Sequence, residues 1–302
     1  GFDMSEYNSS WMLETRQKED TRSSSLFQKI MEHKLFAVSL VLLAILLSCA
    51  ILAPVIAPYD PLKIDIKNKI ETPSIQHIFG TDYLGRDMFS RILYGARTTL
   101  TISLLTVGIS VLIGISGGLL AGYYGGFLDM LLCRIIDILL PFPGMIIALA
   151  LLSYIPAGIG AMVLALSFNF WASFARLIRN ETYSIKNQEF VLSAKLSGLS
   201  DTRIMIRHIL PNIIAPIIVL ITLEIGSVTL HIAALSFIGI GIPPDMPEWG
   251  AMVSAGKDFM RSAPLLTIIP GLVITAVVLL FNILGEELRK ILNPLNEEVT
   301  EL

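Results

Sequence analysis

Long apolar stretches alternate with polar ones along this chain, and the alternation predicts membrane-crossing helices. Leu35 to Tyr59, Thr98 to Leu128 and Ile138 to Ala175 contain no charged residue, and Asn212 to Phe237 and Pro264 to Leu284 are nearly as apolar. A helix needs about 20 apolar residues to cross the hydrocarbon core, so every stretch is long enough, and the first is too long for a signal-peptide core. The third exceeds a single crossing. Tyr154-Ile155-Pro156-Ala157-Gly158 is a turn signal within it and divides it into two spans. Pro141 and Pro143 should kink the first of that pair. The pattern therefore predicts an all-α membrane protein of six transmembrane helices.

The polar segments set the orientation. A mixed, basic tail over 1–34, with Arg16, Lys18, Arg22, Lys29 and Lys34, places the N-terminus in the cytoplasm. Six crossings then return the C-terminal tail, 288–302, to the same side. Asp60 to Arg97 and Ile240 to Ala263 are external; the second holds Pro243, Pro244, Pro247 and Trp249. Met88, Phe89, Ile92, Leu93 and Tyr94 recur at helical spacing, which predicts an amphipathic helix lying on the outer membrane surface. Gly108, Gly114, Gly117, Gly118 and Gly122 would let the second span approach a neighbour closely. Asp137 is placed to pair with Arg134 across one turn.

Arg179 to Pro211 is a polar interruption between the fourth and fifth spans. Phe190, Val191, Ala194 and Leu196 belong to a short helix that Gly198 would close, and Asp201 is placed to cap a second one. A surplus of Lys and Arg puts this loop in the cytoplasm. It reads as a surface through which a cytoplasmic partner moves the membrane part; the plainer reading is an ordinary connection between spans.

Composition sharpens this picture. The chain has 302 residues, 54% hydrophobic and 16% charged, with mean hydropathy +0.70, so the bilayer is its main solvent. A net charge of −3 argues against nucleic acid as a partner. Cys49 and Cys133 lie in or beside apolar segments and read as small core residues without a disulfide framework. There is no phosphate-binding Gly-rich loop, His-Glu-x-x-His or Cys-x-x-Cys pattern, so no catalytic residue, fixed metal or cofactor is assigned. Any ATP would have to be hydrolysed by a partner.

Glu224 and His231 are ionisable residues inside the fifth apolar stretch. Seven residues is close to two helical turns, so both share one face about 10 Å apart. Such groups face a bundle interior or a wet path. One reading makes them two rungs of a translocation pathway suited to a divalent metal, since imidazole suits nickel and zinc. The other makes them packing residues.

Several motifs resemble those of a known family. Ser193-Ala194, Gly198 and Leu210-Pro211 are similar to the Glu-Ala-Ala loop of binding-protein-dependent ABC importer permeases, with Leu192, Ser193 and His208 replacing its Glu, first Ala and Ile. Phe79-Gly-Thr-Asp-x-x-Gly-Arg-Asp87 with Tyr94-Gly-Ala-Arg97 resembles the branch that imports di- and oligopeptides or nickel. Leu223-Glu-Ile-Gly226 with Leu230-His-Ile-Ala233 is similar to the nickel subgroup, whereas Arg207 to Asn212 and Gly122 to Gly126 equally resemble peptide permeases.

The resemblance implies a type I ABC importer permease fold in a bacterial or archaeal cytoplasmic membrane, with 35–97 as first helix plus external segment and 98–287 as the transport core. It implies a second, unlike permease subunit, two ATPase subunits carrying ATP and Mg, and an extracytoplasmic solute-binding protein. It assigns ATPase coupling to Phe190, Ser193, Ala194, Lys195, Gly198, Arg207 and Pro211 within loop 179–211. Asp82, Arg86, Asp87 and Trp249 are candidates for meeting the binding protein, Trp249 alternatively being a membrane anchor. The implied cargo is nickel, free or chelated; the alternative is a di- or oligopeptide. A secondary transporter would usually show paired halves, and no internal repeat is visible.

Overall fold

A computed structural model describes residues 34–243 and 245–292. The two expected tails lie outside these residues, apart from Lys34 and 288–292, as does Pro244. Helix α1 (Lys34–Ile51) is followed by an irregular segment, and then by α2 (Met88–Tyr124). Next come α3 (Gly126–Leu139), α4 (Gly144–Leu152) and α5 (Ile159–Ile185). Two short helices, α6 (Glu189–Leu196) and α7 (Asp201–Ile204), precede α8 (Ile214–Phe237). A short α9 (Trp249–Gly256) and a long α10 (Leu265–Leu292) complete the fold. Among the described residues five helices are long and apolar enough to cross a membrane, and α3 with α4 makes a sixth if the bent pair is one span.

Successive spans run in opposite directions. Phe36 at the start of α1 packs with Leu284 and Ile291 near the end of α10, while Gly158 after α4 donates its N–H to Gly241 O after α8. One end of the bundle therefore holds Tyr123, α6, α7 and the end of α10; this is the loop end. The other holds the segment before α2, the α4–α5 turn and α9; this is the cap end.

The bundle is built around α2 against α5, the most extensive helix pair. Gly114, Gly118 and Gly122, spaced four apart, form the seam. A Cβ on Gly114 would lie 2.5 Å from Phe174 Cβ, one on Gly118 2.9 Å from Ala175 O, and one on Gly122 2.7 Å from Arg179 O. In lipid, where burial of apolar surface drives nothing between helices, this close backbone approach supplies the dispersion contacts that hold the pair. Of the other two glycines expected to help, Gly117 only brushes Leu132, and Gly108 meets nothing.

Three expectations are corrected. The stretch 88–97 is not a separate helix on the membrane surface. It forms the first turns of α2, with Met88, Ile92 and Leu93 buried in protein. At 37 residues α2 is about 55 Å long, well beyond the hydrocarbon thickness, and the apolar face of its start is covered by protein. The third span is not kinked but broken, α3 and α4 meeting at 84°. Pro141 and Pro143 remove two N–H donors in succession, and each restricts the residue before it. Finally, Asp137 pairs with Arg176 on α5 at 3.1 Å. Asp129, one face over, takes Arg179 in a two-pronged contact, Nε to Oδ1 at 2.6 Å and Nη2 to Oδ2 at 2.5 Å. Both arginines of α5 thus pin α3 to it. Cys49 and Cys133 are free thiols.

Candidate functional site

At the loop end, α5 runs out of the bundle and the chain turns into α6. Val191 and Ala194 are buried beneath α6, while Phe190, Leu192 and Leu196 face outward, Leu196 at 89% exposure. The helix closes in a Schellman corner: Leu199 N–H donates to Ala194 O (3.3 Å) and Gly198 N–H to Lys195 O (3.0 Å). Gly198 sits at φ +76°, the left-handed region that glycine enters without strain. The chain continues through α7, a π-helical turn over Met205–Ile209 and a 3-10 turn at Leu210–Asn212.

The structure sorts the residues expected to couple. Phe190, Ser193, Gly198, Arg207 and Pro211 lie on the exposed side. Ala194 is buried and seats the helix. Lys195 bends back, its Nζ 4.7 Å from the Tyr123 ring centroid, and so holds the loop to α2. Asp201 does not cap α7. Ser200 stands at that position, and the Asp201 carboxylate accepts a 2.7 Å hydrogen bond from Tyr123 Oη. Nothing in the local sequence pattern revealed this bond of Tyr123, because its partner lies 78 residues on.

Beside the loop a cavity of about 980 Å³ opens between α5, α8 and α10. Glu224 lines it together with Ser173, Arg176, Asn180 and Glu181 of α5 and Arg289 of α10. His231 does not share this cavity. Its Nδ1 lies 2.8 Å from Ser227 O, and its ring meets Phe170 edge-on at 5.2 Å. The two expected rungs are thus separated: Glu224 lines the open cavity, and His231 packs against Phe170 of α5. No group of three or more His, Cys, Asp or Glu side chains among the described residues is placed to hold a metal ion.

At the cap end, the residues expected to meet a binding protein are buried. Asp82 Oδ1 accepts from the N–H groups of Leu84 (2.8 Å) and Arg86 (3.0 Å), and Oδ2 takes Arg86 Nε (2.7 Å) with Arg91 Nε at 3.7 Å. Arg91 also donates to Pro61 O at 3.0 Å, tying the start of the segment to α2. Asp87 caps α2 through Ser90 N–H (2.8 Å) and holds His77 Nδ1 at 2.8 Å. Trp249, with no exposed surface, donates its Nε1–H to Ile92 O at 3.1 Å. These four side chains build the cap; they neither anchor in lipid nor offer atoms to a docking protein. The Phe79–Asp87 motif is a folding motif here: a Cβ at Gly85 would fall 1.7 Å from Asp65 O.

Glu248, not singled out from the sequence, caps α9 through Gly250 N–H (2.9 Å) and Ala251 N–H (2.8 Å) and accepts from Thr99 Oγ1 (3.3 Å). Burial pushes its carboxyl above the ordinary range, against the pull of those N–H donors.

Asp82→Ala should strip both buried arginines of their counter-charge. Removing one partner of a buried pair costs about 3–5 kcal/mol, so a large loss of thermal stability in detergent is expected. An unchanged unfolding midpoint would refute this account of the cap.

The comparisons with known proteins fit this architecture. The family described as "Binding-protein-dependent transport system inner membrane component" matches residues 114–297, more than half of the chain. The N-terminal TM domain of oligopeptide transport permease C matches residues 23–73. The chain belongs to the binding-protein-dependent permease family. It is a permease subunit of an ABC importer, a multi-pass component of the cytoplasmic membrane and not an enzyme.

The permease is 40% identical to the dipeptide transport system permease protein of Alkalihalophilus pseudofirmus over 268 residues, covering 89% of this chain and 88% of that one. It is 42% identical to the glutathione transport system permease protein of Escherichia coli over 251 residues, covering 83% of each. It is 36% identical to a putative peptide transport system permease protein of Brucella abortus over 267 residues, covering 88% and 90%. Its fold is also that of a chain in the inward-facing MetNI methionine ABC transporter, with TM-score 0.57 and 16% identity over 68% of this chain and 97% of that chain.

Proposed function

We propose that the permease imports short peptides, driven by ATPase subunits that seat on α6. The exposed apolar side of α6 carries this reading. Phe190, Leu192 and Leu196 point outward from a polar loop that stands clear of the bundle, and an apolar patch outside both lipid and core marks a protein partner. Lys186, Lys195, Arg203 and Arg207 on the same loop favour the cytoplasmic side, where ATP is available.

Peptide is preferred to nickel for two reasons. The relatives just described are dipeptide, glutathione and peptide permeases. And Glu224 lines a cavity with charges of both signs, suited to a zwitterion, while His231, the second rung of a metal path, lies outside it. In this reading ATP and Mg bind the partner ATPases, whose closure moves the loop and opens the cavity alternately to the two sides. A second, unlike permease subunit completes the path, and a solute-binding protein delivers cargo to the cap end.

Reconstituting the permease with its sister permease, ATPases and binding protein in vesicles tests this. ATP-dependent uptake of a labelled dipeptide is expected. Uptake of Ni²⁺ but no peptide would reverse the choice of cargo, and uptake by the permease alone would remove the ATPase role. Glu224→Ala should lower peptide uptake roughly tenfold, the scale of one lost charge-assisted contact, with the complex still assembled. Unchanged uptake would leave Glu224 a packing residue.

A further inference from the structure

The loop meets α2 at its last turn, where Tyr123 is approached from three successive pieces of chain. Tyr123, in the last turn of α2, is buried. Its hydroxyl donates to Asp201 at the start of α7 at 2.7 Å, and Lys195 at the end of α6 lies over its ring. Lys186, just past α5, donates to Gly122 O (2.9 Å) and Tyr123 O (3.5 Å), placing a cation where the helix dipole ends negative. Beneath the loop, Val191, Ala194, Ile204, Met205 and Ile209 make apolar contacts that can slide. A hydrogen bond to a carboxylate is directional and cannot slide without breaking.

What lies behind Tyr123 is rigid. The Gly114–Gly118–Gly122 seam locks α2 to α5, and the same helix reaches the cap end, where Asp87, Arg91 and the Trp249–Ile92 bond hold it. A push on the loop that reaches Tyr123 is thus delivered to one continuous helix spanning from coupling surface to cap.

We infer that Tyr123 is a positioning residue for transport: its hydrogen bond to Asp201 ties the coupling loop to α2, so that ATPase closure moves α2 as a strut and not the loop alone. This rests on the proposal that ATPases seat on α6. Contact along a chain does not by itself establish coupling; a cycle of variants does.

The measurement is peptide moved per ATP hydrolysed in the reconstituted complex, with a labelled dipeptide as probe. Tyr123→Phe keeps the ring under Lys195 and removes only the donor. The ratio should fall roughly fivefold, of the order expected for one hydrogen bond to a charged acceptor. Asp201→Ala should fall similarly, the double variant no further than either single, and Asp201→Asn, which keeps a neutral acceptor oxygen, should lose less than Asp201→Ala.

A ratio unchanged by Tyr123→Phe, even with lowered thermal stability, overturns the inference by leaving a purely structural bond. So does a double variant whose loss multiplies the two single losses. Cross-linking of Phe190→Cys to the ATPase keeps the two proposals apart. Cross-linking and wild-type transport with an unaffected Tyr123→Phe sink only the strut, whereas a wild-type complex that hydrolyses ATP without moving peptide sinks both.

Discussion

Gly118→Leu is expected to abolish accumulation of folded permease, while Gly108→Leu on the same helix should leave it near wild type. The contrast follows from what each Cβ meets. At Gly118 it would stand 2.9 Å from both Ala175 O and Ile178 Cβ and 3.0 Å from Arg179 N, so two of the three obstacles are backbone atoms that no rotamer change can move. At Gly108, on an exposed face of α2, nothing lies within 4 Å. Overpacking commonly costs about 1–3 kcal/mol where side chains can yield, and here they cannot. Moving α2 away from α5 would also open the seam at Gly114 and Gly122. Losses on that scale consume much of a stability of about 5–15 kcal/mol. The fraction of solubilised protein that is monodisperse by size-exclusion chromatography reads the outcome. A well-folded Gly118→Leu variant would mean the seam is not what holds these helices together.

How much of this was visible in the sequence depends on the range of the interaction. Charge-free runs are a local property, and they located the spans. Gly198 was legible because a Schellman corner is written within a few residues, and its positive φ follows from the same constraint. Charge partners were not legible. Asp137 had Arg134 on its own helix as a candidate, yet the helix-to-helix geometry gave it Arg176, 39 residues on. The cap misled for a related reason. Asp82, Arg86, Asp87 and Trp249 have the composition of an exposed recognition surface, and only three-dimensional packing reveals that each finds its partner in the interior, Asp82 with Arg86, Asp87 with Ser90 and His77, and Trp249 with the Ile92 carbonyl. His231 and Glu224 share a helix and a spacing, but cavity walls come from other helices, and those enclosed only Glu224. Tyr123 was visible only as part of the Gly122–Gly126 motif; its bond to Asp201, 78 residues on, carried no local signal.

Gly198→Arg is expected to abolish ATP-driven uptake while the chain still inserts and assembles. A side chain at φ +76° is strained by about 1–2 kcal/mol, which a corner outside the bundle can absorb. No atom lies within 4 Å of the added Cβ, so the fold itself raises no steric objection. What changes is the surface: a long cation now stands at the corner between α6 and α7, beside the exposed face of Phe190 and Leu196. If an ATPase subunit seats there, charge and bulk at the contact should cut coupled uptake by more than about tenfold, as a buried unpaired charge at an interface does. Gly198→Ala separates the causes. It imposes nearly the same backbone strain with little bulk, so it should retain most uptake, and a loss equal to that of the arginine variant would place the defect in the corner's geometry. Normal uptake by Gly198→Arg, with the complex assembled and ATP hydrolysed at the usual rate, would falsify the assignment of this loop as the coupling surface. The ATPases would then have to reach the bundle elsewhere, and the exposed apolar side of α6 would need a different occupant.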